Sequence, residues 1–185
     1  MKQIAVFLDR DGTINEEMGY INHLSRFVLL PGIAAAVKRL HDAGLKVVVV
    51  TNQSGAARGY FPPSLVEEVH AYLRDLLARE GAHLDAIYTC LHGPRAGCRC
   101  RKPQPGLLLQ AAADLNLDLE RSYLVGDRYK DIQTGANAGA KGILVLTGYG
   151  RGEYEYLGRT WNPAPAHIAG DLPDAAAWII KDLKL

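Results

Sequence analysis

Residues 4–13 read IAVFLDRDGT. Five apolar residues end abruptly in Asp9-Arg10-Asp11-Gly12-Thr13. A continuous apolar run suits a strand buried on both faces, as in a parallel sheet. The same form recurs along the chain. Leu45–Val50 runs into Thr51-Asn52-Gln53-Ser54-Gly55, and Ala86–Cys90 runs into a cysteine-rich loop. Tyr123–Val125 runs into Gly126-Asp127-Arg128, and Ile143–Leu146 follows. Between these runs lie stretches with helix signals. Pro31–Ala43 is closed by Gly44, and Ser64–Glu80 has a Ser in N-cap position and Gly81 beyond its end. Gly106–Leu115, Asp131–Ala138 and Pro173–Leu183 complete the set. The alternation predicts an α/β fold with a doubly wound, mostly parallel sheet. Residues 15–30 and 147–165 do not fit it and are expected as a long connection and an ordered Gly- and Tyr-rich loop. No internal repeat or linker is present, so residues 1–185 read as one domain with the loop 90–100 inserted.

The composition excludes several classes. Of 185 residues, 48% are apolar and 22% charged, with a net charge of +1. That balance is ordinary for a globular domain and gives no basic stripe for nucleic acid. No apolar run approaches the ~18 residues of a membrane span. The first strand is too short for a secretory signal. The expectation is a cytoplasmic monomer acting on a small molecule, with neither nucleic acid nor membrane as a partner.

In open α/β sheets, ligands bind beyond the carboxyl ends of the strands. Asp9, Asp11, Thr51, Lys102 and Asp127 should therefore converge, with Asp131 close by. Carboxylates crowded together repel unless a cation joins them, and Mg2+ favours one or two carboxylates plus phosphate oxygens. Asp9 and Asp11 are two residues apart, so an extended segment points both the same way. A nucleophilic carboxylate beside an acid/base carboxylate suits phosphoryl transfer, with Lys102 and Thr51 stabilising the transferred group. Alone, an Asp-x-Asp-Gly is more often a turn, a Thr-Asn more often a helix cap, and a Lys-Pro a solvated loop. Their placement at successive strand ends favours a site.

All three cysteines lie in residues 90–100, CLHGPRAGCRC. Cys90, His92, Cys98 and Cys100 form a donor set of the kind Zn2+ takes in structural sites. A disulfide would leave one thiol over, and reducing compartments disfavour it. Zn2+ with three thiolates carries net negative charge, which Arg95, Arg99 and Arg101 can offset. Bound metal would fix the shape of a loop too poor in apolar residues to fold by burial. That shape would in turn aim Arg101 and Lys102.

Asp9-Arg10-Asp11-Gly12-Thr13, Thr51-Asn52, Lys102-Pro103 and Gly126-Asp127, in this order, resemble the haloacid dehalogenase superfamily from residue 4 to about residue 150. The stretches FLDRDGTIN, GYI, VVVTNQSGAARG, CRCRKPQPG and YLVGDRYKDI look like its histidinol-phosphatase-like branch. The resemblance implies a Rossmann-like fold without a large cap domain. It implies Asp9 as nucleophile and Asp11 as general acid/base. Mg2+ would be held by Asp9, Asp127 and the Asp11 carbonyl, with Asp131 in support. Thr51 and Lys102 would stabilise the phosphoryl group, and the cysteine loop would carry Zn2+. The implied reaction is removal of one phosphate from a heptose bisphosphate, in precursor synthesis for the lipopolysaccharide core. Histidinol phosphate remains a rival substrate, because that branch shares most of the motifs. A zinc-stabilised binding module with no activity and a phospho-accepting receiver domain are the readings from other classes.

With no cap, the loops must hold the substrate. Glu17, Met18, Gly19 and Tyr20 form one candidate wall, and Asn52, Gln53 and Ser54 another. Arg101 and Arg128 are candidates for a distal phosphate, because guanidinium binds phosphate as a fork. Arg58 is a further cation in reach.

Overall fold

The structure is a computed structural model describing residues 2–185. Its centre is a six-stranded sheet in the order β3-β2-β1-β4-β5-β6. The strands are β1 (Ala5–Leu8), β2 (Lys46–Asn52), β3 (Ala86–Cys90), β4 (Tyr123–Gly126), β5 (Lys141–Val145) and β6 (His167–Ala169). All five pairings are parallel, with Phe7 opposite Val48 on one side and Leu124 on the other. The strand order reverses direction between β1 and β4, which creates a crevice at their carboxyl ends.

The helices are α1 (Ile33–Asp42), α2 (Pro63–Arg79), α3 (Gly106–Leu115), α4 (Tyr129–Ala138), α5 (Gly150–Leu157) and α6 (Leu172–Asp182). They cover both faces. Alternate strand residues divide between two cores. Val6, Leu8, Val47 and Val49 face a cluster with α1, α2 and α6 residues such as Leu40, Leu73 and Ile179. Ala5, Phe7, Val48 and Val50 face Leu107, Leu108 and Ala111 of α3. Each fully buried Leu or Ile contributes about 1.5–3 kcal/mol relative to exposure. That two-sided burial is why the strands read as unbroken apolar runs.

The sequence expectations hold for the first five strands to within two residues at either end. The exceptions are local. Ser64 is not the N-cap of α2; Pro62 is, with Pro63 in the first turn, where a missing N–H costs nothing. The region 147–165 is not a plain loop, since it contains α5 and a 3-10 turn, Gly158–Thr160. β6 was hidden because three residues are too few to show a period. The connection 15–30 is ordered by a short turn at Leu24–Arg26 and by Asn15, which bridges to both Asp11 and Leu29.

Candidate active site

β1 does not stop sharply at its last apolar residue. Asp9 N donates to Val125 O at 2.9 Å, so the ladder carries Asp9 to the crevice beside β4. The chain then turns back on itself, with Gly12 N donating to Asn15 O at 2.8 Å. Gly12 has φ +81°, and a Cβ there would collide with the Asp127 carboxylate. Glycine is thus demanded both by the backbone and by the approach of the two segments.

Asp9 Oδ1 accepts from Arg10 N at 2.8 Å and lies 2.9 Å from Lys102 Nζ. Lys102 Nζ is also 2.6 Å from Asp131 Oδ1, and neither side chain of that second pair is exposed. Burial works against the ammonium charge, but Asp131 and Asp9 outweigh it and keep Lys102 protonated well beyond the ordinary lysine range. Lys102 is positioned from behind by Asn52. The Asn52 amide accepts from Lys102 N at 3.1 Å and donates to Lys102 O at 3.3 Å. The Lys102–Pro103 peptide is cis.

Asp127 follows β4 directly. Its Oδ2 accepts from Tyr149 N at 2.9 Å, while its Oδ1 is buried without a hydrogen-bond partner. Burial, then the Asp9 and Asp131 charges, push its carboxyl up to about 8. An orphaned carboxylate oxygen next to a second carboxylate fits a bound cation. Asp9, Asp127 and Asp131 each offer an oxygen within 4.8 Å of the others. Asp131 is already committed to Lys102 and, through Oδ2, to Arg128 N at 3.1 Å. Asp9 and Asp127 are therefore the carboxylates that can hold a divalent ion, with Asp131 placing Lys102.

Asp11 accepts from Arg10 Nη2 at 3.0 Å, from Asn15 Nδ2 at 2.9 Å and from Gln53 Nε2 at 2.8 Å. Burial would raise its pKa, but the Arg10 guanidinium and the hydrogen bonds from Asn15 and Gln53 outweigh that and hold it below the ordinary carboxylate range. Gln53 Nε2 also reaches Thr51 Oγ1 at 2.9 Å, which leaves the Thr51 hydroxyl proton free to donate elsewhere.

Asp9, Asp11, Thr51, Asn52 and Asp127 line a cleft of about 250 Å³ whose walls also include Glu17, Gly19, Tyr20, Ser54, Arg101 and Arg128, while Lys102 lies buried behind Asp9. Glu17 is held by Gly19 N at 2.6 Å, and burial raises its carboxyl pKa. Two expected substrate contacts lie elsewhere. Met18 packs against the core and offers only its carbonyl, to Arg26. Gln53 stands behind Asp11 and Thr51 rather than on the wall. Arg58 is exposed and off the cleft. Conversely, Lys130, Tyr149 and Glu153 were not expected. Lys130 and Tyr149 line the cleft, and Glu153 grips Arg128. Lys130 lies four residues beyond Gly126, on the turn that starts α4, and could have been found there. Tyr149 and Glu153 come from residues 147–165, where neither hydrophobic period nor helix propensity marks an element in the sequence.

The second cluster is Cys90, His92, Cys98 and Cys100, whose donor atoms all fall within 4.8 Å of one another. None of the three cysteines is in a disulfide. Cys90 and Cys98 Sγ are 3.7 Å apart, Cys98 and Cys100 Sγ 3.5 Å, and Cys90 Sγ and His92 Nδ1 3.6 Å. A tetrahedron with metal–sulfur bonds of about 2.3 Å has edges of about 3.8 Å. The two edges at Cys100 are tighter, 2.8 Å to Cys90 Sγ and 3.1 Å to His92 Nδ1. The set fits one tetrahedral soft-metal ion. Arg101 joins the clusters: it lines the cleft and donates from Nη1 to His92 O at 3.3 Å.

Comparison with known proteins places this geometry in a family. Residues 99–175 match the family described as HAD-hydrolase-like. The D-glycero-D-manno-heptose-1,7-bisphosphate 7-phosphatase of Thermosynechococcus vestitus is 44% identical over 99% of this chain and 98% of its own length. The D-glycero-beta-D-manno-heptose-1,7-bisphosphate 7-phosphatase of Escherichia coli K12 is 43% identical over 78% of this chain and 80% of its own. The crystal structure of D,D-heptose 1,7-bisphosphate phosphatase from B. bronchiseptica, complexed with magnesium and phosphate, superposes with a TM-score of 0.88 at 37% identity, over 98% of this chain and 99% of that one. With sequence, fold and the acids at the strand ends in agreement, the chain belongs to the D-glycero-D-manno-heptose-1,7-bisphosphate 7-phosphatase family of HAD-like hydrolases.

Proposed function

We propose that this chain, acting as one domain, is a Mg2+-dependent phosphatase that removes the 7-phosphate of D-glycero-D-manno-heptose 1,7-bisphosphate. The product would serve lipopolysaccharide-core precursor synthesis. The observation that carries the reading is the contact of Lys102 with Asp9, 2.9 Å, beside the unpartnered Asp127 oxygen at the foot of the cleft. A nucleophile, a cation for the transferred group and a carboxylate oxygen suited to a metal ion meet there.

Mg2+ would be held by Asp9, Asp127 and the Asp11 carbonyl, and when bound it would neutralise charge on the phosphoryl oxygens. The chain's own residues do the rest. An Asp9 oxygen attacks phosphorus and the bond from phosphorus to the sugar oxygen breaks. Asp11 supplies the proton to that leaving oxygen. The product of this step is an aspartyl-phosphate on Asp9 and a free sugar hydroxyl. Water then attacks phosphorus, Asp11 takes its proton, and phosphate leaves with Asp9 restored. The Lys102 ammonium and the Thr51 hydroxyl face the oxygens on which charge builds. Arg101 and Arg128, on the rim, suit a phosphate at the far end of the sugar. The Cys90, His92, Cys98 and Cys100 site would hold structural Zn2+, closed by four protein donors and without a position for water.

The test is a comparison of kcat/KM for heptose 1,7-bisphosphate, fructose 1,6-bisphosphate and histidinol phosphate, with and without Mg2+. Preference for the heptose, and no turnover in chelator, supports the reading. Preference for histidinol phosphate moves the enzyme to the rival branch. No turnover of any substrate leaves a binding module.

A further inference from the structure

We infer that Glu153 is a positioning residue for substrate recognition, holding Arg128 so that its outer guanidinium edge faces the distal phosphate of a bisphosphate substrate. The inference rests on the functional reading above.

Arg128 Nε and Nη2 both lie 2.7 Å from Glu153 Oε1. Glu153 Oε2 accepts from Tyr129 N at 2.8 Å, so the carboxylate is itself fixed at the start of α4. The Tyr149 ring supports the guanidinium from one face, with Arg128 Cζ 4.4 Å from the ring centroid. Tyr149 in turn is tied to the site, because its N–H holds Asp127. Arg128 lines the cleft together with Asp9 and Asp127. With Nε and one Nη2 hydrogen engaged by Glu153, the remaining edge carries Nη1 and the outer Nη2 hydrogen. That edge is a two-pronged donor matched to two phosphate oxygens. A long side chain left free would have to be immobilised by the substrate; here folding has already done so.

Two other accounts predict different outcomes. Plain electrostatics says that a carboxylate on Arg128 weakens the anion site, so its removal should tighten binding. A merely structural role says that Glu153 caps α4 through Tyr129 N, so its loss should damage every substrate alike.

The experiment measures kcat and KM of wild type, Glu153→Ala, Glu153→Gln, Arg128→Ala and the Arg128→Ala/Glu153→Ala double variant, on heptose 1,7-bisphosphate and on para-nitrophenyl phosphate, with melting curves for each. Glu153→Ala should raise KM for the bisphosphate about tenfold, with kcat changed much less. The loss in kcat/KM on the monophosphate should be far smaller. Glu153→Gln, which keeps an oxygen for Arg128, should recover most of the KM. In the Arg128→Ala background, Glu153→Ala should add little, since the two act as one unit. An unchanged or lowered KM in Glu153→Ala, or equal losses on both substrates, overturns the inference while leaving the functional reading intact. A wild-type enzyme that does not turn over the bisphosphate overturns that reading and the inference with it. If Glu153→Ala fails to fold, Glu153→Asp decides, because it keeps the charge but withdraws the carboxylate from Arg128 by one methylene: a KM raised for the bisphosphate alone supports the brace, and an unchanged KM or losses shared by both substrates overturn it.

Discussion

Arg10 grips Asp11 through two nitrogens, Nε at 3.2 Å and Nη2 at 3.0 Å from the carboxylate. Arg10 is itself buried, with 1% of its surface exposed, so this contact is shielded from solvent. The acid/base residue proposed for the reaction is thus anchored from behind by an internal cation. All its partners, Arg10, Asn15 and Gln53, are donors. They favour the ionised form, which is the base that the second step needs; the proton that Asp11 gives up in the first step is taken up from solvent when the negative charge of the substrate phosphate arrives beside it and raises its affinity for a proton. An Asn at position 11 would turn an N–H group toward one of these donors and could not carry a proton. Asp11→Asn should therefore lower kcat by about 10²–10⁴-fold. Steady-state rates beside circular dichroism test this, and a loss under tenfold in a folded protein removes Asp11 from proton transfer.

Arg10 also sets the state of His70. Its Nη1 lies 3.4 Å from His70 Nε2, and His70 is 5% exposed. Burial, then the Arg10 charge, pushes the His70 pKa down to about 4. The unfolded value is about 6.5, so the unfolded chain binds more protons between those limits. Stability from this group is fully present above pH 6.5 and is lost as pH falls toward 4. The loss could reach about 3 kcal/mol. His70→Gln keeps an acceptor for Arg10 but cannot titrate. Urea midpoints from pH 7 to pH 4 should fall less steeply in the variant than in wild type. Parallel pH profiles would show that His70 is protonated in the folded state.

The Asp9 contact with Lys102 makes a covalent prediction. Enzyme quenched in acid during turnover and reduced with borohydride should carry homoserine at position 9, from the acyl phosphate. Asp9→Asn should give neither the adduct nor turnover, because an amide is a poor nucleophile and ligand. It should keep the fold, since Lys102 retains Asp131 at 2.6 Å. Turnover without any adduct at Asp9 would point to direct attack by water.

β1, β2 and β4 were legible because burial on both faces writes a continuous apolar run, and Asp9, Thr51 and Asp127 because they end those runs. α5 was not legible. Its sequence, GRGEYEYL, has two glycines and few buried residues, so neither propensity nor period marks it. It is held by its docking: a Cβ at Gly150 would collide with Val145 O, and Glu153 reaches Arg128 across the chain. Contacts of that kind leave no pattern in sequence. Gln53 shows the same limit in the site. Its place after β2 suggested the substrate, but only the fold reveals that its side chain turns back to Asp11 and Thr51.

The cysteine cluster gives the last prediction. Arg101 is bound to the loop through His92 O, and Lys102 follows it into the active site. The loop has little else to fix its shape. Its residues from Leu91 to Arg99 are mostly exposed, and only Cys90 is fully buried. One tightly held Zn2+ per chain is expected, distinct from the Mg2+ of the cleft. Cys98→Ser removes one thiolate and should release or loosen the ion. The sheet should survive, because α3 packs on β2 and β3 mainly through Leu107, Leu108 and Ala111, to which the loop adds only the partly buried Cys98 and Cys100. Activity should still fall, since Arg101 and Lys102 lose the anchor that aims them. The fall should be larger on a bisphosphate if Arg101 meets the distal phosphate. Metal content by mass spectrometry, read beside kcat and KM in the same preparation, decides the matter. A zinc-free variant with wild-type kinetics on both substrates would show that the cluster does not position these cations.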